Sequence, residues 1–150
     1  MFTGIGTLPH FNPDLEEREP RDVLAFRTMV HHADGILISS PEYAHGVPGC
    51  LKNALDWLVG GVEFVGKPVA LFNASPRATY AQDSLRETLT VMSGRFITDA
   101  CLTVPLQGKT LSAPDIVAHP VLARDIRNAL TSFIGAIGQD SHGGDPGRTP

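Results

Sequence analysis

Cysteine is scarce in this chain of 150 residues, and Cys50 and Cys101 stand alone, with no CxxC and no histidine at ligand spacing. That excludes a disulfide framework and a thiolate metal site, and the expected role of both sulfurs is that of a small buried apolar side chain. Cys50 is the more ambiguous, since it falls in the first turn of an expected helix, where a thiol pKa can be lowered. Long apolar runs are also missing: none approaches the ~20 residues of a membrane span, and the start has neither the basic nor the apolar region of a secretory signal. Basic blocks are absent too. Lys and Arg number 12 against 16 Asp and Glu, a formal net charge of −4, so nucleic acid is not expected as a partner, although a phosphate ligand needs only local donors. His31, His32 and Asp34 have no third and fourth ligand nearby, and adjacent histidines at a helix end are expected to meet its C-terminal carbonyls. A soluble cytoplasmic protein with no membrane partner is the expectation.

What is present suits one globular unit, with 42% hydrophobic and 19% charged residues and a length that allows a single core. Strand and helix patterns alternate. Phe2–Gly6 reads as a strand remnant and Pro20–His32 as a helix with Val23, Phe26 and Val30 on one face. Gly35–Ser39 and Val69–Ala74 read as strands. Thr79–Ser93 reads as a helix opened by the capping-box spacing Thr79-x-x-Gln82 and closed by Gly94. Phe96–Val104 reads as a further strand. Pro120–Ile137 is a last helix striped by Leu122, Ile126, Ala129, Leu130, Phe133 and Ile137. The run from Gly138 to Pro150 is expected to be a disordered tail outside a domain of residues 1–137. Such alternation favours a doubly wound α/β sheet with right-handed crossovers and ligands outside the carboxyl ends of its strands.

The most informative stretch is Ile36–Leu58, ILISSPEYAHGVPGCLKNALDWL. A short apolar run, as in a strand of a parallel sheet covered on both faces, leads into a polar and aromatic loop and then into a helix. Pro48 suits a first helical position, Leu51, Ala54, Leu55 and Leu58 share one face, and Lys52 and Asp56 pair on the other. The preceding Val47 has no side-chain oxygen to cap the first turn, which leaves N–H donors for a flat, hydrogen-bonding ligand beside Glu42, Tyr43 and His45.

The pattern Pro41-Glu42-Tyr43-x-x-Gly46-x-Pro48-Gly49-x-Leu51-Lys52-Asn53-Ala54-x-Asp56-Trp57 resembles the signature of the NAD(P)H-dependent FMN reductases of flavodoxin-like fold. Leu8-Pro9-x-Phe11-Asn12-Pro13-Asp14 upstream and Gly66-Lys67-Pro68-Val69-Ala70 downstream stand at similar spacings, so the likeness runs from about residue 5 to residue 137. The resemblance implies a flavodoxin-like doubly wound sheet with helices on both faces, FMN as cofactor and NADPH or NADH as electron donor. It further implies a small-molecule acceptor such as a quinone, azo dye, free flavin or metal ion, and a homodimer or homotetramer. Trp57 and residues 59–65, with the Thr79 helix, would supply the subunit face. By the same resemblance the flavin ring would be held by Pro41, Glu42, Tyr43, Ala44, His45 and Gly46 from one loop and by Asn73, Ala74, Ser75 and Arg77 from the other. No side-chain acid, base or nucleophile is needed, because the chemistry belongs to the flavin.

Two departures bear on these loops. Many members carry Asn where this chain has His45, which acts as a donor or proton source near the ring or is a surface histidine without a role. Arg77-Ala78-Thr79-Tyr80 replaces glycine-rich sequence, and Arg77 either attracts a nicotinamide cofactor's phosphate or pairs with a carboxylate. A larger departure is at the start. Met1 falls in what resembles the family's second strand, so the first strand, its Gly-Ser-x-Arg-x-x-Ser phosphate loop and the first helix would all be missing, and Gly4-Ile5-Gly6 does not replace them. In the order 2-1-3-4-5 that strand is central, and its four or five buried side chains at ~1.5 to 3 kcal/mol come to roughly 10 kcal/mol. Either the sequence is part of a longer chain, the favoured explanation, or strands re-pair or associate to close the gap. A flavin-free interaction module is the alternative function. A hydrolase built on Ser39 or Ser40 with His45 lacks the G-x-S-x-G turn.

Overall fold

The computed structural model describes residues 4–106 and 111–142, with side chains through 139. Five α-helices and four parallel strands are described: α1 Arg21–His32, β1 Ile36–Ser39, α2 Gly49–Val59, β2 Pro68–Asn73, α3 Thr79–Val91, β3 Arg95–Phe96, β4 Leu102–Thr103, α4 Ala113–Ala118 and α5 Pro120–His142. The sheet runs β1-β2-β3, and β4 joins β2 beyond β3. Ile36 to Ser39 face Val69 to Phe72 in parallel register. Among the described residues nothing pairs with the far edge of β1, so the strands do not re-pair to close the expected gap. Of Phe2–Gly6, residues 2–3 lie outside the described region, and Ile5–Thr7 is a 3-10 turn rather than a strand.

Alternation along the strands sorts two cores. Val69, Leu71, Ile36 and Ile38 pack with Val23, Phe26 and Val30 of α1, Leu55 and Leu58 of α2, and Leu85 and Leu89 of α3. Ala70 packs on the other face with Ala100, Phe133 and Ile137. Helices therefore cover both faces, as the sequence predicts for a doubly wound sheet. The α1 stripe of Val23, Phe26 and Val30 is buried as expected, while Leu130 of the α5 stripe faces solvent. The α5 helix reaches His142, five residues past its expected end; the remainder of the expected tail lies outside the described residues.

The expected strand Phe96–Val104 is broken. Val69 faces Phe96 and Phe72 faces Leu102, so the outer chain spends six residues where β2 spends three, and the surplus forms the 3-10 turn Thr98–Ala100. The bulge puts the Cys101 sulfur 3.4 Å from the Leu71 N–H, where it accepts a hydrogen bond. Cys101 is half-buried, whereas Cys50 is exposed, contrary to a shared buried role. Helix α3 ends in a Schellman arrangement: Ser93 takes the left-handed conformation at φ 63°, with Ser93 N–H on Thr90 O at 2.9 Å and Gly94 N–H on Leu89 O at 2.8 Å. Gly94 is required instead by crowding, since a Cβ there would lie 2.6 Å from Phe64 Cε1 and 2.9 Å from Leu89 O.

Two further anchors tie the N-terminal third to the rest. Asn53 of α2 accepts from the Phe11 N–H at 2.8 Å and donates to Pro9 O at 3.0 Å, and Trp57 Nε1 donates to the same carbonyl at 2.8 Å. Phe11 meets the Trp57 ring edge-on at 5.0 Å. The upstream Leu8–Asp14 motif and the Asn53/Trp57 motif thus meet each other, and Trp57, 2% exposed, is core rather than subunit face. Arg27 bonds Glu19 and Glu63, the latter from both Nε and Nη2 at 2.9 and 2.7 Å. Burial opposes the charged form of Glu63, but its own backbone N–H and Arg27 outweigh it and hold the carboxyl below its ordinary pKa. The carbonyls ending α1 are met by Lys67 Nζ, which donates to His31 O at 3.0 Å and Ala33 O at 2.7 Å; His31 and His32 contact each other edge to face.

Candidate functional site

Parallel pairing of β1 with β2 brings their carboxyl ends to the same edge of the sheet, so the loops that follow them are neighbours. Between these loops lies a cleft of about 420 Å³ lined by Pro41, Glu42, Asn73, Ala74, Ser75 and Arg77, together with Ser40, Ala78 and Leu106. Six sequence-predicted site residues from two loops therefore meet in one cavity. Tyr43, Ala44, His45 and Gly46 do not line it; they form the turn next to it.

That turn is a two-residue hairpin. Tyr43 and Gly46 exchange backbone bonds of 3.1 and 2.9 Å, and between them Ala44 and His45 stand at φ 49° and 59°. Two consecutive positive φ values are what a type I′ turn requires. In side chains other than glycine each costs about 1 to 2 kcal/mol. Contacts with α3 accompany this strain: the His45 ring stacks on Tyr80 at 4.2 Å and 17°, and Glu42 Oε2 accepts from the Ala81 N–H at 2.8 Å.

The last bond revises the expected capping of α3, which begins at Thr79 as expected. Ala78, not Thr79, is the N-cap, and no side-chain cap comes from it, so the Thr79-x-x-Gln82 box is not formed. Glu42, thirty-nine residues upstream, supplies the acceptor and places a negative charge at the positive end of the helix. No local pattern reveals it, because the partner lies on another strand end.

The second loop is fixed by Asn73, which is buried. Its Oδ1 accepts from the Ser75 N–H at 3.0 Å and its Nδ2 donates to Ala78 O at 3.3 Å. Asn73 shapes the cleft by folding its own loop. The Arg77 N–H donates to Ser75 Oγ at 3.3 Å, and the Arg77 side chain is exposed at the rim. Ser40 is buried, with its hydroxyl donating to Pro41 O at 3.2 Å.

A second, apolar cleft of about 660 Å³ runs along β1, lined by Phe26, Val30, Ile36, Leu51, Leu55 and Tyr43 among others, and it shares Ser40 and Pro41 with the first. Helix α2 starts at this junction. Its N-cap is Pro48, one residue beyond the expected Val47, and no side chain caps it. Leu51 is half-buried, Ala54, Leu55 and Leu58 are buried, and Lys52 pairs with Asp56 as the spacing predicts.

The NADPH-dependent FMN reductase family model matches residues 2–109. A 2-hydroxy-1,4-benzoquinone reductase of Burkholderia sp is 41% identical over 91 residues, 57% of this chain and 50% of the relative. A quinone reductase of Pseudomonas putida is 36% identical over 108 residues, 67% of this chain and 55% of the relative. The chain thus spans about half the length of these curated relatives. Among solved structures, FerB, a flavoenzyme NAD(P)H:(acceptor) oxidoreductase from Paracoccus denitrificans, superposes with a TM-score of 0.74 at 29% identity over 90% of this chain and 78% of FerB. With its parallel sheet covered on both faces and its paired strand-end loops, the chain belongs to the NADPH-dependent FMN reductase family.

Proposed function

We propose that the chain carries the flavin-ring side of an NAD(P)H-dependent FMN reductase acting on quinones or similar planar acceptors. The observation that carries this reading is the convergence of the Ser40–Gly46 and Asn73–Ala78 loops on one cleft at the carboxyl ends of β1 and β2, the position where open α/β sheets bind ligands. Its volume suits a flat heterocycle. Pro41, Glu42, Ala74 and Ser75 would border the isoalloxazine ring, with Asn73 holding the second loop in shape and Arg77 at the rim facing an incoming nicotinamide dinucleotide's phosphates. FMN, when bound, supplies the hydride and electron transfer. The chain's part is to orient the ring and leave one face open to donor and acceptor in turn.

The relatives named for quinones favour that acceptor class. No described helix is long and apolar enough to cross a membrane, and a cytoplasmic setting, where NAD(P)H is available, fits the reading. A homodimer is the proposed assembly, through Val59 at the end of α2 and Val62 and Val65 beyond it, all exposed; a light-scattering mass of one chain would overturn that assembly. The direct test is titration of the chain with FMN followed by flavin fluorescence and absorbance, then addition of NADPH and a benzoquinone. Saturable quenching and quinone-dependent NADPH oxidation are expected. A protein that is folded yet leaves flavin fluorescence unchanged at millimolar chain concentration would overturn the reading.

A further inference from the structure

We propose that Tyr80 is a positioning residue for the ring-side loop: its ring, stacked on His45, latches the Tyr43–Gly46 turn in its left-handed form onto the first turn of α3. The latch is a property of the free chain; only its consequence for flavin rests on the function proposed above.

Type I′ turns favour Asn and Gly at their two central positions because both need positive φ. This chain has Ala44 and His45 there, at φ 49° and 59°. Alanine has no polar side chain with which to stabilise a left-handed conformation locally, so the turn depends on contacts outside itself. Two such contacts are present, and both end on adjacent residues of α3. The His45 ring lies 4.2 Å from that of Tyr80, nearly parallel, and Glu42 accepts from the Ala81 N–H. Glu42 and Pro41 line the ring cleft and immediately precede the turn. Tyr80 does not line that cleft, so it acts through His45. A turn released from α3 is free to relax toward negative φ, and the wall formed by Pro41 and Glu42 moves with it.

The test compares Tyr80→Ala, Tyr80→Phe and Tyr80→Ala combined with Ala44→Asn and His45→Gly, by amide hydrogen exchange at Tyr43 and Gly46 in the flavin-free chain and by FMN affinity. An aromatic pair of this kind carries about three- to ten-fold in an equilibrium. Tyr80→Ala should therefore speed exchange of both amides about three- to ten-fold and weaken FMN binding by a similar factor. Tyr80→Phe, which keeps the ring, should match the parent in both. The Asn-Gly replacement, which makes the turn stable without help, should restore slow exchange and affinity to the Tyr80→Ala chain. Unchanged exchange in Tyr80→Ala overturns the latch. Faster exchange with unaltered FMN affinity overturns the positioning role and leaves the flavin reading standing. A parent chain that does not bind FMN overturns the flavin reading, and with it the positioning role, while exchange still decides the latch.

Discussion

Arg27 joins two carboxylates that are largely withdrawn from solvent. The side chains of Glu19 and Glu63 are 10% and 13% exposed, and Glu63 Oε2 has no partner among the described residues. Arg27→Ala would leave two poorly solvated like charges together, and the expected loss is about 2 to 3 kcal/mol, read from the urea midpoint; a loss below about 0.5 kcal/mol would mean that solvent replaces the guanidinium. The same triad fixes a pH dependence. Because the folded state holds the Glu63 carboxyl below its ordinary pKa, its contribution is full above the unfolded carboxylate value of about 4.3 and is lost as pH falls through the lower folded value. Stability in the parent should decline below about pH 4, and a Glu63→Gln chain should show a shallower decline, measured by thermal unfolding across that range. At Gly94 the crowding is steric. Gly94→Ala should cost about 1 to 3 kcal/mol, since a methyl there meets both the Phe64 ring and a main-chain carbonyl.

At the scale of elements, α1 and α2, whose apolar residues recur with helical period, start and end within a residue of expectation, and α5, striped in the same way, starts where expected and runs five residues further. Caps supplied by remote partners are not legible in the same way. Helix α3 takes its cap from Glu42, a residue whose likeness to the family's ring-side loop suggests a ligand contact rather than a helix cap. Glu42→Ala is expected to lower stability by about 1 kcal/mol and to increase exchange at the Ala81 amide, whereas Glu42→Gln, which keeps an acceptor oxygen, should retain most of both. Equal losses in the two variants would show that the charge, not the hydrogen bond, holds the helix end. Helix α4 was within reach of the sequence, since Ser112 and Asp115 form a reciprocal capping box with Pro114 just inside. The broken outer strand was not. Its residues read as one strand by composition, and the break is fixed by the packing of Ala100 against Ala70 and Phe133, a contact between segments far apart in sequence.

For the molecule as a whole, the sheet is unequal. Strand β2, between neighbours, is buried at every position but Phe72, while β1 alternates between half-buried and exposed. Parallel sheets normally have both faces covered and their strands flanked, and the apolar sequence of β1 follows that rule although no described residue pairs with one of its edges. Leu37, 37% exposed, and the apolar walls from α1 and α2 together bound the cleft of about 660 Å³ beside it. An open apolar surface of this extent should take up anilinonaphthalene sulfonate under native conditions, at a pH where thermal unfolding is still cooperative. Dye fluorescence should rise on addition of the folded chain, and Leu37→Lys should reduce the rise while changing stability by no more than about 0.5 kcal/mol, as at a surface position. If the parent fails to enhance the dye and light scattering gives the mass of one chain, the walls of α1 and α2 have closed over β1 in solution. If dye is excluded and the mass is that of a larger assembly, the edge of β1 is satisfied by another copy, and Leu37→Lys should then return the chain to monomers, because a charge on an edge strand opposes pairing.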